Sequence, residues 1–573
     1  MKFIELIQNL LPATSDSCRG FKPELTLCVT IVLMLLARLP SWGRKLNAGF
    51  IAFPGVLVAI YFAAPWLNLM GHPDELLKTT GRYELFDGML VYDQWTVYFR
   101  SVLLLFAALF VIFTQLSGIP DREDGPDFYT LVLGGTLGMC VMASANHLLT
   151  IFLGVEMASV PSYVLAGMLK GRRKSSEAAL KYSVYGAGTS GVMLYGISLL
   201  AGALGTCHLP TMALQLATLS PDLLAERQVV LMFGGLFVMV GLAFKLSAVP
   251  FHFWCPDVFE GASAEVNAFL SVASKAAALA LLVRVALGFS HVPYSAEGPS
   301  PKAVSQTVAY RAAAHEGHDD GDDATSPGAA TTIAGDHSAA LAPVRRYVVG
   351  LISLLAAITC TFGNLTAYAQ TNIKRLLAYS TIAHAGYMMM PVAAAVALSG
   401  DRPREAEHAL ASLAVYVGVY LFMNLGAFAV VAFLRNAMRS EEIADYAGLI
   451  RRCPCVTILF SIILFSLIGL PPLAGFVGKF LAFAALANAQ QPILYALFVI
   501  GGLNTALSLF YYLRVVKLMT MDPEPSDRLP VALPLLSPAG IYLLLITAPV
   551  VGLGVFFDQL NVWALAAAQH LLS

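Results

Sequence analysis

Apolar residues run along almost the whole chain in stretches long enough to cross a lipid bilayer, separated by short polar breaks. A spanning helix needs about 20 mostly apolar residues. By that rule the pattern predicts fourteen spans: 24–41, 47–69, 95–116, 128–144, 147–169, 178–202, 229–254, 263–288, 347–366, 374–399, 409–434, 456–488, 492–517 and 533–556. The stretch before the first span, MKFIELIQNLLPATSDSCRG, carries acid near its front and a short, interrupted apolar run. It reads as a short surface helix rather than a secretory leader.

Composition agrees. Hydrophobic residues make up 58% of the chain and charged residues 12%, with mean hydropathy +0.71. Soluble domains carry about 25% charged residues, so lipid must solvate most of this surface, and the expected fold is an all-α polytopic membrane protein. A net charge of -1 excludes a nucleic-acid partner. The eight cysteines form no CxxC pair and no haem, zinc or iron–sulfur spacing. They are expected as buried thiols, with no metal or cofactor held by the chain.

Basic residues favour short loops on one side. These include Lys170, Arg172, Arg173 and Lys174; Lys374 and Arg375; Arg435, Arg439, Arg451 and Arg452; and Arg514 and Lys517. That side is expected to face the cytoplasm, which places both termini on the outer side of a cell inner membrane. Residues 292–346 interrupt the apolar pattern with HEGHDDGDDATSPG and similar polar sequence. They read as a solvated outer insertion. His315, His318 and His337 beside Asp residues are metal-ligand types, but a polar insertion accounts for them.

Charge within the spans is the informative departure. A Lys or Asp at a span centre costs roughly 2.5–3.5 kcal/mol. Glu156, Lys181, Lys245, Lys275 and Lys479 nevertheless lie inside predicted spans, as does Arg284 near a span end, where it reads as snorkelling to the headgroups. Burial disfavours an ammonium ion and a nearby carboxylate restores it, so such groups bind and release protons near neutral pH. Glu156 with Lys181 is the expected switch, and Lys245, Lys275 and Lys479 the relay. His252 and His384 serve equally well as relays or as interface hydrogen-bonders.

Two spans contain helix breakers beside these lysines: Pro250 after Lys245, and Pro471 and Pro472 before Lys479. The two broken spans are five apart. Spans 4–8 (128–288) and 9–13 (347–518) therefore read as two five-helix units in inverted orientation. Residues 1–127 would supply three leading helices, 289–346 the insertion, and 519–573 the last helix.

Five segments carry a resemblance: FLGVEMASVPSYVLAG, SEAALKYSVYGAGTSGVMLYG, FKLSAVPFHFWCPDVFEGA, AQTNIKRLLAYSTIAHAGY and IGLPPLAGFVGKF. Together they resemble the antiporter-like N-subunit family of respiratory complex I, the NADH–quinone oxidoreductases, over about residues 128–520. The resemblance implies a proton-translocating subunit with no redox cofactor of its own, NAD and quinone being used by partner subunits. It also implies sister antiporter-like subunits as neighbours in the membrane. It matches Glu156 and Lys181 to the coupling ion pair, Lys245 to the broken seventh helix, Lys275 to the central lysine and Lys479 to the outer exit. The sister M and L types usually read PTPVSALIHAA in the eighth-span region, where this chain reads SAEVNAFLSVASKAA. Here SAEV replaces the usual TPV-like segment and introduces Glu265. The rival readings are a subunit of a multisubunit cation/proton antiporter and a passive membrane scaffold.

Overall fold

A computed structural model describes residues 14–39, 47–63, 82–121, 124–292, 337–526, 528–529, 531–569 and 571–572. Most of the expected insertion, including His315 and His318, lies outside the described residues. A short helix, Thr14–Gly20, is bent by 87° from α1, Lys22–Ala37. Then come α2 (Gly49–Ala63), a two-stranded antiparallel hairpin of β1 (Arg82–Leu85) and β2 (Leu90–Asp93), and α3 (Gln94–Ser117). The first predicted five-helix unit contains α4 (Gly125–Ser144), α5 (Leu148–Ala166), α6 (Arg173–Leu204), α7 (Leu209–Thr218), α8 (Pro221–Leu246), α9 (Trp254–Gly261), α10 (Ala264–Ser271) and α11 (Ala273–Ser290). The second contains α12 (Ala342–Ala367), α13 (Ile373–Leu398), α14 (Pro403–Met438), α15 (Pro454–Ile468), α16 (Ala474–Asn488) and α17 (Pro492–Thr520). The chain continues through α18 (Pro538–Val555) and α19 (Asp558–Gln569).

Each of the fourteen predicted stretches holds a helix, but they are not fourteen full-length crossings. Among the described residues eleven helices are long and apolar enough to span, or twelve if the bent pair at α1 counts as one. Three further apolar helices, α2, α15 and α16, are shorter, each of 15 residues. The short α19 was not foreseen.

The helix ends follow from proline chemistry. A proline ring clashes with the carbonyl four residues back. Pro250 therefore ends its helix by Leu246, and Pro471 and Pro472 end theirs by Ile468, which is where α8 and α15 stop. This corrects the expected interior break of the seventh span. That helix runs unbroken over 26 residues, turns through Ser247 in the left-handed region (φ 56°), and Pro250 lies beyond it. The twelfth span is divided in mid-course into α15 and α16. A further bend, at Val272, separates α10 from α11 and carries no proline or glycine to announce it.

Packing places α10–α11, α13 and α14 in the interior, where nearly every residue is buried. α14 touches α3, α10, α13, α15, α16, α18 and α19. α12 and α13 meet closely at two glycines. A Cβ on Gly363 would come within 2.7 Å of Ala383 N, and one on Gly386 within 2.6 Å of Cys360 N, so small residues set this approach. Outward faces are apolar, with Leu180 and Val184 on α6 and Leu503 and Phe510 on α17 exposed, as lipid requires.

Hydrogen bonds and ion pairs join the basic loops at one end of the bundle. Lys170 meets Asp124, and Lys174 and Arg375 both meet Glu260. Lys374 meets Glu441, and Arg514 donates to the Gln370 carbonyl. At the other end the Phe86 amide donates to Ser17, and His291 meets the Leu572 carbonyl. The first and last described segments thus share the end opposite the basic loops.

Arg284 does not snorkel. Its guanidinium is buried and holds Asp93 through two 2.6 Å hydrogen bonds, with Thr96 Oγ1 at 2.9 Å and the Ala143 carbonyl at 3.1 Å. Asp93 also caps α3 by accepting from the Thr96 amide at 2.8 Å. Each nitrogen of the Arg284 guanidinium donates, which is what a span-interior guanidinium needs. A second buried pair, Arg100 with Glu24 at 2.8 Å, escaped the sequence reading. Arg284→Ala is expected to lower unfolding stability in detergent by about 3–5 kcal/mol, because Asp93 is left charged and unpaired. Arg284→Met combined with Asp93→Asn is expected to recover most of that loss in the same thermal assay.

Candidate functional site

The candidate residues divide into two groups that the sequence reading had joined. Lys181 belongs to a surface cluster. Its amine lies 2.6 Å from Asp257 and 2.8 Å from Glu177, and its side chain is 35% exposed. Arg375 bridges Asp257 at 3.0 Å and Glu260 at 2.7 Å, and Lys174 reaches Glu260 at 2.7 Å. These residues line a polar cleft of about 200 Å³ at the basic-loop end. Burial alone would raise the Glu260 pKa. The hydrogen bonds and charges of Lys174 and Arg375 outweigh it and hold the carboxyl below its ordinary range.

Glu156 does not pair with Lys181. Its carboxylate accepts from the Ser190 hydroxyl, and its charge acts on Lys245 instead. The expected Glu156–Lys181 ion pair is absent, and Lys245 lies within electrostatic reach of Glu156 without pairing with it. The reason is helical phase. Lys181 lies one turn from Glu177 on α6 and meets α9, whereas Ser190, nine residues on and half a turn round, meets Glu156. Lys245, in the last turn of α8, is buried, and its amine makes no hydrogen bond among the described residues.

From Lys245 the polar groups continue inward. Ser247 follows at the end of α8, its buried hydroxyl without a hydrogen-bond partner among the described residues, and the Cys255 thiol on α9 lies within electrostatic reach of Lys275. Lys275 is 1% exposed and donates to the Thr381 carbonyl of α13 at 3.0 Å. His384, one turn on from Thr381, meets Tyr416 Oη at 2.9 Å and lies within electrostatic reach of both Lys275 and Lys479. Lys479 donates to the Leu467 and Ile468 carbonyls at 3.1 and 2.9 Å, and sits over the Tyr387 ring at 4.7 Å. Those carbonyls are the unsatisfied end of α15, freed by Pro471 and Pro472. They form the negative pole of a half-helix aimed at a cation.

His252 stands apart. It lies in the α8–α9 connection, packed edge-on to Phe362 at 4.5 Å. The structure brings Lys245, Lys275, His384 and Lys479 into one buried series with the half-buried Glu156 at its head, and leaves Lys181 and His252 beside it. The sequence reading missed Lys374, which it counted among loop cations. Lys374 is 2% exposed and bonds the Glu260 and Ala262 carbonyls, each at 2.9 Å. Its one local signal is Asn372, whose side chain caps α13 and draws the next residues into the helix.

Comparison with known proteins places this arrangement. Residues 145–296 and 335–505 match the family described as NADH:quinone oxidoreductase/Mrp antiporter, TM. The chain is similar to NADH-quinone oxidoreductase subunit N of Anaeromyxobacter sp., 39% identical over 540 residues, covering 92% of this chain and 93% of that protein. It is 37% identical over 531 residues to NADH-quinone oxidoreductase subunit N 2 of Sorangium cellulosum, covering 90% and 91%. Among solved structures it is similar to a chain of respiratory complex I from Thermus thermophilus. The TM-score is 0.65 and the identity 28%, covering 94% of this chain and 97% of that one. A chain of the Mrp complex from Dietzia sp. shares the fold, with TM-score 0.70, 19% identity and 98% of both chains covered.

Because the Glu260 pKa is depressed in the folded chain, its contribution to stability is present above the unfolded value of about 4.3 and is lost as pH falls through the folded value. Glu260→Gln is expected to flatten the fall in thermal unfolding midpoint of the detergent-solubilised protein between neutral and acidic pH.

Proposed function

The chain belongs to the NADH:quinone oxidoreductase/Mrp antiporter transmembrane family, and from that premise we propose how its buried groups carry protons. It is an antiporter-like, proton-translocating membrane subunit of an NADH–quinone oxidoreductase, working among other membrane subunits. In our reading, Glu156 and Lys245 form the switch. Lys275 and His384 carry the proton through the middle of the bundle, and Lys479 delivers it to the far side. The observation that carries this reading is the kind of partner each lysine has. Lys275 and Lys479 bond only neutral carbonyls among the described residues, and Lys245 bonds nothing. An amine so placed can lose its proton without leaving an opposite charge stranded. A structural lysine would be locked to a carboxylate, as Lys374 is to Glu441 at 2.8 Å.

The direction of transfer follows from charge. Movement of Glu156 towards Lys245 stabilises its ammonium form, and withdrawal releases that proton towards Lys275. The Tyr416 hydroxyl fixes the His384 ring between the second and third lysines. We also propose that the basic-loop end faces the cytoplasm of a cell inner membrane and that both termini lie outside, since positive loops stay inside. The chain would hold no redox group, and NAD and quinone would be handled by partner subunits.

Lys275→Ala in the assembled complex is expected to lower proton pumping at least about tenfold, the scale of losing one proton-transfer group. Pumping at the wild-type rate would favour the passive scaffold. Lys245→Met is expected to have a similar effect and Lys181→Gln less than about a twofold one, since Lys181 is a half-exposed ion-pair member. Proton uptake by vesicles in sodium-free buffer compares all three, and a sodium requirement would favour the cation antiporter.

A further inference from the structure

Glu265 is a buried acid that the lysine series leaves unused. It lies in the first turn of α10, is 0% exposed, and neither carboxylate oxygen accepts a hydrogen bond among the described residues. Its ion-pair partner, Arg435 Nη2 in the last turn of α14, is 3.7 Å away. That is long beside the 2.6 Å contacts of the structural pair Arg284–Asp93. Lys374, at the start of α13, lies within electrostatic reach of Glu265 and bonds the carbonyl of Ala262, three residues before it. Lys374 in turn holds Glu441 at 2.8 Å, and the Glu441 side chain is 19% exposed. Exposure therefore falls stepwise from Glu441 to Glu265.

Beyond Glu265 the polar groups point towards Lys275. Ten residues separate the two, about 15 Å of helix. Arg435 on α14 faces Glu265, and α14 runs back along α10. Asn424, eleven residues before Arg435, therefore lies about 16 Å inward, near the level of Lys275. Asn424 is fully buried, and neither its amide nitrogen nor its oxygen has a hydrogen-bond partner among the described residues. Buried polar groups in folded proteins are satisfied, and where protein does not do so, ordered water does. The interval between Glu265 and Lys275 thus has the polar lining that a short file of water needs.

We propose that Glu265 is a proton-carrying residue, taking protons from the basic-loop side past Glu441, Lys374 and Arg435 and passing them along the α10–α14 interface to Lys275. In each cycle the carboxylate binds one proton, releases it to the water file and returns to its anionic form, while the Lys275 amine becomes an ammonium ion. Arg435 and Lys374 keep the anionic form tolerable in a low-dielectric setting. The proposal rests on the reading of Lys275 as a relay, and the test separates the two.

In the whole complex reconstituted in vesicles, Glu265→Gln is expected to slow quinone-coupled proton uptake on the order of tenfold. It should also raise the H2O/D2O rate ratio, because proton delivery becomes limiting. Glu265→Asp is expected to restore most of the rate. A structural role would alter assembly or heat stability without raising the isotope effect. If Glu265→Gln assembles and keeps both rate and isotope effect while Lys275→Ala stops pumping, the proposal fails and the relay reading stands. If neither variant changes pumping, both fail. Should Glu265→Gln not assemble, Glu441→Gln at the exposed end of the same limb is expected to slow uptake, and an unchanged rate would overturn the proposal.

Discussion

Charge in hydrocarbon must be either matched or exchangeable, and the rest of this structure follows from how each buried ion meets that condition. Matched ions are closed units. Arg284 spends its donors on Asp93, Thr96 and a carbonyl, and Arg100 sits against Glu24. Neither can change protonation without stranding its partner. The lysines at 245, 275 and 479 meet the condition differently, since none holds a carboxylate among the described residues. The nature of the partner atom thus separates two kinds of buried cation in one fold.

The backbone supplies those partner atoms where the helices stop. α15 ends because two prolines cannot tolerate the next turn, and its freed carbonyls become the seat of Lys479. α8 ends at Leu246 for the same reason, and the Trp254 indole donates to the buried Phe244 carbonyl at 3.1 Å, which also accepts from the Ser247 amide. Discontinuity in a span is costly unless something polar uses it. Here a lysine uses one break. The other, beyond the end of α8, is closed by an aromatic cap.

Legibility in the sequence tracked locality. A lysine inside an apolar run is visible from its neighbours, so Lys245, Lys275 and Lys479 stood out. The prolines at 250, 471 and 472 pointed to interruptions near Lys245 and Lys479, but Pro54, Pro161, Pro391 and Pro549 lie inside unbroken helices, so proline alone did not fix the ends. Partners were not legible. Lys181 and Asp257 are 76 positions apart and Arg284 and Asp93 are 191 apart, and no local pattern encodes such distances. Lys181 was accordingly matched to the wrong carboxylate, and Arg284 was sent to the headgroups. The bend at Val272 has no breaker residue, and Arg100 passed unnoticed because its counter-charge, Glu24, lies on another helix.

α14 carries Tyr416, Tyr420, Asn424 and Arg435 on one unbroken rod of 36 residues. A rod cannot shift at one end alone. Any push that reaches Arg435 from the loop beside Glu441 must also move the hydroxyl that steadies His384, in phase and by a comparable amount. The divided α15–α16 pair meets α14 with both halves but carries no such rod, so the stiffness that α14 supplies along its length is interrupted at Gly469–Leu473.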